Sequence, residues 1–130
     1  LSDDDKIMNE EYELECLIAL DGAAFEMSSG HVVEFTVRRT ETTRERPHGV
    51  SYALVFREAG GRPLVRFDNA HAIERPGGRF VKRNAAFDHR HRSETDPGRP
   101  YAFTTAAKLL DDFWDEVRRV LDEKGIDHDL

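Results

Sequence analysis

Cysteine is nearly missing: the chain has one, Cys16, so no internal disulfide can hold the fold, and nothing in the composition signals oxidative chemistry. Long apolar runs are missing as well. No stretch approaches the roughly 18 residues of a membrane span, and no basic-then-apolar leader opens the sequence, so a soluble cytoplasmic protein that engages no membrane is expected. There is no Gly-rich phosphate loop, no nucleophile-elbow serine and no Cys–His pair in a useful context, which argues against nucleoside triphosphatase and acyl-transfer chemistry. Neither a repeat nor a second-domain linker divides the 130 residues, which suffice for one ordinary core.

Charge is plentiful but unevenly laid out. Residues 1–30 carry one Lys against nine acids, a net of −8. Residues 31–100 carry fourteen cations against nine acids, a net of +5, and thirteen of those cations are arginine, the better bidentate partner for phosphate and carboxylate. Residues 101–130 return to a net of −4, with four cations and eight acids. A local basic patch that contacts nucleic acid is therefore open, and so is a solvated face on which arginines pair with Glu34, Glu41, Glu45 and Glu58.

Residues 1–10 read as a flexible acidic tail, residues 11–125 as one domain and residues 126–130 as a C-terminal tail. Tyr12, Leu14, Cys16, Ile18 and Leu20 alternate with mostly acidic neighbours, the period-two signature of a strand with Cys16 on its buried face. Asp21-Gly22 predicts a tight turn and a return through Ala23 to Met27. Ser28-Ser29-Gly30 then turns into a strand from His31 to Arg39, and residues 40–49, with Pro47, read as a loop. Tyr52, Leu54 and Phe56, the Ala59-Gly60-Gly61-Arg62 turn and Leu64 to Phe67 predict a hairpin. Arg75-Pro76-Gly77-Gly78-Arg79 is another turn, Phe80 to Arg92 is strand-like at one or both ends, and Asp96-Pro97-Gly98-Arg99-Pro100 stops it. Apolar residues at three- and four-residue spacing from Ala106 to Leu121 predict a helix over residues 104–124, capped by Thr104 or Thr105 and ended by Gly125 with Ile126 folded back. The expected architecture is α+β: a mainly antiparallel sheet of five to seven strands with one long C-terminal helix packed on one face.

Two polar clusters carry the chemistry. The first, Asp68-Asn69 with His71 just beyond, ends the strand that begins at Leu64; the second is Asp88-His89-Arg90-His91-Arg92. On a strand, His89 and His91 share one face about 6.6 Å apart while Arg90 and Arg92 take the other. Three readings follow. Two imidazoles near their ordinary pKa of about 6.5 can serve as acid and base in RNA cleavage without metal, with Asp68 or Asp88 orienting one of them and Arg66, Arg83, Arg90 or Arg92 meeting the phosphate. Alternatively, His89 and His91 with Asp68, Asp88 or His71 hold a divalent metal, although no recognised metal motif is present. In the third reading the clusters form a polar network that fixes a loop or a partner-binding surface, with Asp68 and Asn69 capping backbone amides and Asp88 paired to Arg90 or Arg92. His31, His48 and His128 receive no role.

The order Phe67-Asp68-Asn69, Asp88-His89-Arg90-His91, Tyr101-Ala102-Phe103 and Leu110-Asp111-Asp112-Phe113-Trp114-Asp115-Glu116-Val117 resembles the TumE-like family of toxins from bacterial toxin–antitoxin modules. The Asp21-Gly22 turn and the Tyr52 strand fit the same layout, and the resemblance covers residues 12–125. It implies a toxin that acts on RNA, is neutralised by a small DNA-binding antitoxin, and uses Asp68, Asn69, His89 and His91. Residues 70–87 form a longer segment than in many relatives, and His71 has no family counterpart. The leading expectation is thus an RNA-cleaving endoribonuclease with no cofactor, with Asp68, Asn69, Asp88, His89 and His91 as catalytic candidates. The alternatives are a non-enzymatic partner-binding module and a metal-dependent hydrolase; association into a homo-oligomer is left open.

Overall fold

A computed structural model describes residues 3–44, 47–69, 88–91 and 98–128, the side chains of residues 3–8 and of His89 excepted. The chain order is α1 (Asp3–Ile18), β1 (Ala24–Glu26), β2 (Val32–Arg39), β3 (Val50–Arg57), β4 (Pro63–Asp68), β5 (His89–His91), β6 (Arg99–Pro100) and α2 (Ala106–Lys124). The strands form one antiparallel sheet in the order β1-β2-β3-β4-β5-β6, so each strand lies beside its neighbour in sequence. This is the expected α+β arrangement, with the C-terminal helix packed against the sheet.

The first element differs from the sequence reading. Residues 12–20 do not make a strand: residues up to Ile18 belong to α1, which begins at Asp3, within the stretch read as a tail. Leu17 is fully buried, Leu14 and Ile18 pack beside it, and Tyr12 and Cys16 are exposed. Leu14, Leu17 and Ile18 follow three- and four-residue spacing, which the chance alternation of Tyr12, Leu14, Cys16 and Ile18 concealed. The intervening glutamates are good helix formers and poor strand formers. Asp21-Gly22 consequently joins helix to sheet rather than strand to strand. Gly22 takes φ 82° and donates its N–H to the Phe35 carbonyl at 2.9 Å, while Asp21 Oδ1 accepts from the Val37 N–H at 2.9 Å. These bonds close part of the outer edge of β2 beyond the short β1.

The hairpin of β3 and β4 forms in the predicted place, with Leu54 opposite Phe67 and Phe56 opposite Val65. α2 also matches its signals. Thr105 Oγ1 accepts from the Lys108 N–H at 3.1 Å, Gly125 takes the left-handed conformation at φ 69°, and the Ile126 N–H returns to the Leu121 carbonyl at 2.9 Å. Phe35, Leu54, Phe56 and Phe67 on one face of the sheet meet Leu109, Phe113, Val117 and Leu121 of α2, and Leu17 of α1 adds to the same layer. Glu13 of α1 accepts from the Ala107 N–H, tying the two helices where α2 starts. None of the described helices is long and apolar enough to cross a membrane.

Candidate functional site

Strand register decides which polar groups can meet. Phe67 faces the core, so its neighbours Arg66 and Asp68 face away from α2. In β5, His91 lies opposite Arg66 and His89 opposite Asp68, whereas Arg90 lies opposite Phe67 and so falls on the α2 side. The separation of the histidine positions from Arg90 is the one that a strand requires.

On the outer face Asp68 is almost fully buried, and its Oδ2 receives the Arg66 Nε–H at 2.5 Å. The same oxygen lies 3.7 Å from His91 Nε2. The imidazole is 21% exposed and the guanidinium side chain 43%, so a buried carboxylate underlies two groups that solvent can reach. Gly98 makes room for the ring: a Cβ at this position would stand 2.5 Å from His91 Cε1, and the backbone there has φ 103°. A longer side chain at 98 would push the imidazole off the Asp68–Arg66 pair.

Asp88 lies on the other face. Its Oδ2 accepts from the Tyr52 hydroxyl at 2.6 Å and lies 3.2 Å from His48 Nε2. Because the Val50 N–H donates to His48 Nδ1 at 3.4 Å, the ring proton sits on Nε2 and is donated to the carboxylate. Phe103 packs on the His48 ring with centroids 4.1 Å apart. Burial, the Asp88 charge and the hydrogen bond to it push the Tyr52 hydroxyl far above its ordinary pKa. Asn69 completes this side: its fully buried amide accepts from the Tyr52 N–H at 2.9 Å and donates to the Val50 carbonyl at 2.7 Å, extending the ladder beyond β4. Asn69 and Asp88, at the two ends of the 70–87 segment, are thus clasped to the same end of β3.

Of the residues singled out by sequence, the structure brings Arg66, Asp68 and His91 together and sets His89 opposite Asp68 in the ladder. It separates them from Asp88, Asn69 and Arg90, which serve the α2 side. Arg83, Arg92 and His71 lie outside the described residues. Among the described residues no group of three or more His, Cys, Asp or Glu is placed to hold a metal ion. Sequence reasoning missed His48, Tyr52 and Gly98. The Pro47-His48-Gly49 stretch reads as a loop, and only its distant contact with Asp88 gives the histidine a function.

The molecule is therefore a small antiparallel meander, covered on one face by helices and carrying an Arg–Asp–His group on the other. The chain belongs to the Toxin TumE family, whose model matches residues 4–121. No curated protein and no solved structure matches the chain.

Proposed function

We propose that this protein is the toxin of a toxin–antitoxin module and that it cleaves RNA in the cytoplasm by proton transfer without metal. Membership of a toxin family supports the first part. The second rests on one observation: Arg66 and His91 converge on a single oxygen of buried Asp68, within reach of solvent. In this reading Arg66 meets the phosphate, and Asp68 holds the His91 imidazole in place. His91 and His89 divide the two proton transfers. One imidazole removes the 2′-hydroxyl proton as that oxygen attacks the adjacent phosphorus; the other, protonated, gives its proton to the departing 5′-oxygen, leaving a 2′,3′-cyclic phosphate. The 3.7 Å between His91 and Asp68 shortens as substrate charge builds, as resting-state contacts of this kind commonly do. Asp88 and Asn69 act as positioning residues that fix the start of β5 and the end of β4. A small DNA-binding antitoxin holds the toxin in check.

The test is cleavage of intact RNA by wild type, His91→Ala and Arg66→Ala, with and without chelator, each protein first shown to be folded. Wild type should cleave equally in chelator, and His91→Ala should lose about 100-fold or more. Undiminished cleavage by His91→Ala would sink the mechanism. Loss of wild-type cleavage in chelator would favour the metal-dependent hydrolase. Antitoxin binding without any cleavage would favour the non-enzymatic module.

A further inference from the structure

Register places Arg90 of β5 opposite Arg99 of β6. Such partners project from one face of an antiparallel sheet with Cα atoms about 5 Å apart. Because Arg90 is also opposite core-facing Phe67, the pair belongs to the α2 side, and the Arg90 charge reaches Tyr101 and Asp112 there. Like charges directly across a ladder cost stability. Among the described residues neither Arg90 nor Arg99 makes a hydrogen bond or salt bridge, whereas Arg57, Arg62, Arg118 and Arg119 each hold a carboxylate. The fold has placed two cations side by side, and among the described residues neither is held by a carboxylate, although Asp112 lies within electrostatic reach of Arg90.

The neighbouring edge narrows what could bind. β6 is two residues long, and the Tyr101 N–H points inward to the Asp88 carbonyl, so Pro100 turns its nitrogen outward where an added strand would need a donor. Peptide strand addition is thereby disfavoured. A flexible polyanion needs no ladder. His91, next in sequence to Arg90, projects from the opposite face, and among the described residues only the short β6 stands beyond them in the sheet.

We propose that Arg90 and Arg99 form a phosphate clamp for single-stranded RNA. The strand crosses the β5–β6 edge, so that the clamp holds the backbone on the α2 side while the scissile bond meets His91 and Arg66 on the other. This deepens the RNA-cleavage reading and rests on it for the identity of the ligand. Paired guanidinium groups suit phosphate because each presents a planar fork of donors, and a nucleic-acid chain engaged at Arg66 carries further charges for the pair. A rigid duplex could not fold over so thin an edge.

The probe is a short, fluorescently labelled 2′-O-methyl RNA, which lacks the attacking hydroxyl, titrated with the full chain at several salt concentrations. Arg90→Ala/Arg99→Ala should weaken binding about 10- to 100-fold and lower the slope of log affinity against log salt by about one to two. Arg118→Ala, which removes an arginine elsewhere, should bind like wild type. Arg99→Ala alone should melt no lower than wild type, since it relieves the like-charge pair, while still losing affinity. Wild-type affinity and salt slope in the double variant would overturn the clamp, as would selective loss of binding to polyglutamate. Binding by wild type without any cleavage of ordinary RNA would discard the nuclease reading and leave the clamp standing. Cleavage that depends on His91, with an unchanged salt slope in the double variant, would do the reverse.

Discussion

Tyr52 shows how far one side chain can depend on chain distant from it. Its hydroxyl is buried against Asp88, thirty-six positions away, and is held protonated. An unfolded tyrosine ionises near pH 10, whereas native Tyr52 does not, so above that pH the unfolded state binds fewer protons and stability falls as pH rises. Tyr101, raised by burial and by its bond to Asp112, adds a loss of the same sign. Tyr52→Phe should therefore show a shallower fall in stability above pH 10, as read by denaturant unfolding at a series of pH values. Near neutral pH it should be about 1 to 3 kcal/mol less stable, because the buried carboxylate loses a donor. The same residue marks a limit of sequence reading. Asp88 and Asn69 were visible as polar groups near strand ends, but their partners His48, Tyr52 and the Val50 backbone lie 17 to 40 positions away, where no local pattern points.

Elements were legible where two independent signals agreed. α2 combined a wide apolar stripe with caps at both ends, and the hairpin of β3 and β4 combined alternation with a glycine turn. The N-terminal stretch offered alternation alone, and Leu17 was the residue that broke it. Substitution separates the two geometries. Leu17→Ala should cost about 2 to 5 kcal/mol, as a fully buried leucine does, while Tyr12→Ala should change stability by less than about 0.5 kcal/mol. A strand with Tyr12 on its inner face would give a large loss for Tyr12→Ala, so urea denaturation of the two variants is decisive. The strand reading at 89–91 did anticipate the division of His91 from Arg90. Arg66, one of the four arginines that the sequence offered for the phosphate, lies on the histidine side, a choice among them that only the pairing of β4 with β5 makes.

At the scale of the molecule, the basic middle of the chain builds most of the sheet, and the acidic flanks supply the helices. α1 adds Leu17 to the apolar layer, but the larger cover is α2, which contributes Leu109, Phe113, Val117 and Leu121. A chain ended after Thr105 would leave the inner faces of β2, β3 and β4 open to water. It should show no cooperative thermal transition and should bind a hydrophobic dye, where the full chain melts cooperatively. A native-like transition in the shortened chain would show that the sheet does not need its helical cover.

That dependence has a temporal side. The ribosome makes all the described strands before it reaches Ala106, so Arg66, Asp68 and His91 have left the peptidyl-transferase centre while the helix that secures their scaffold is still unmade. A growing chain that exposes apolar strands is a client for chaperones rather than a folded toxin. Assembly of the Arg66–Asp68–His91 group is thus deferred until α2 has been synthesised and has docked, a delay set by the order of the elements along the chain.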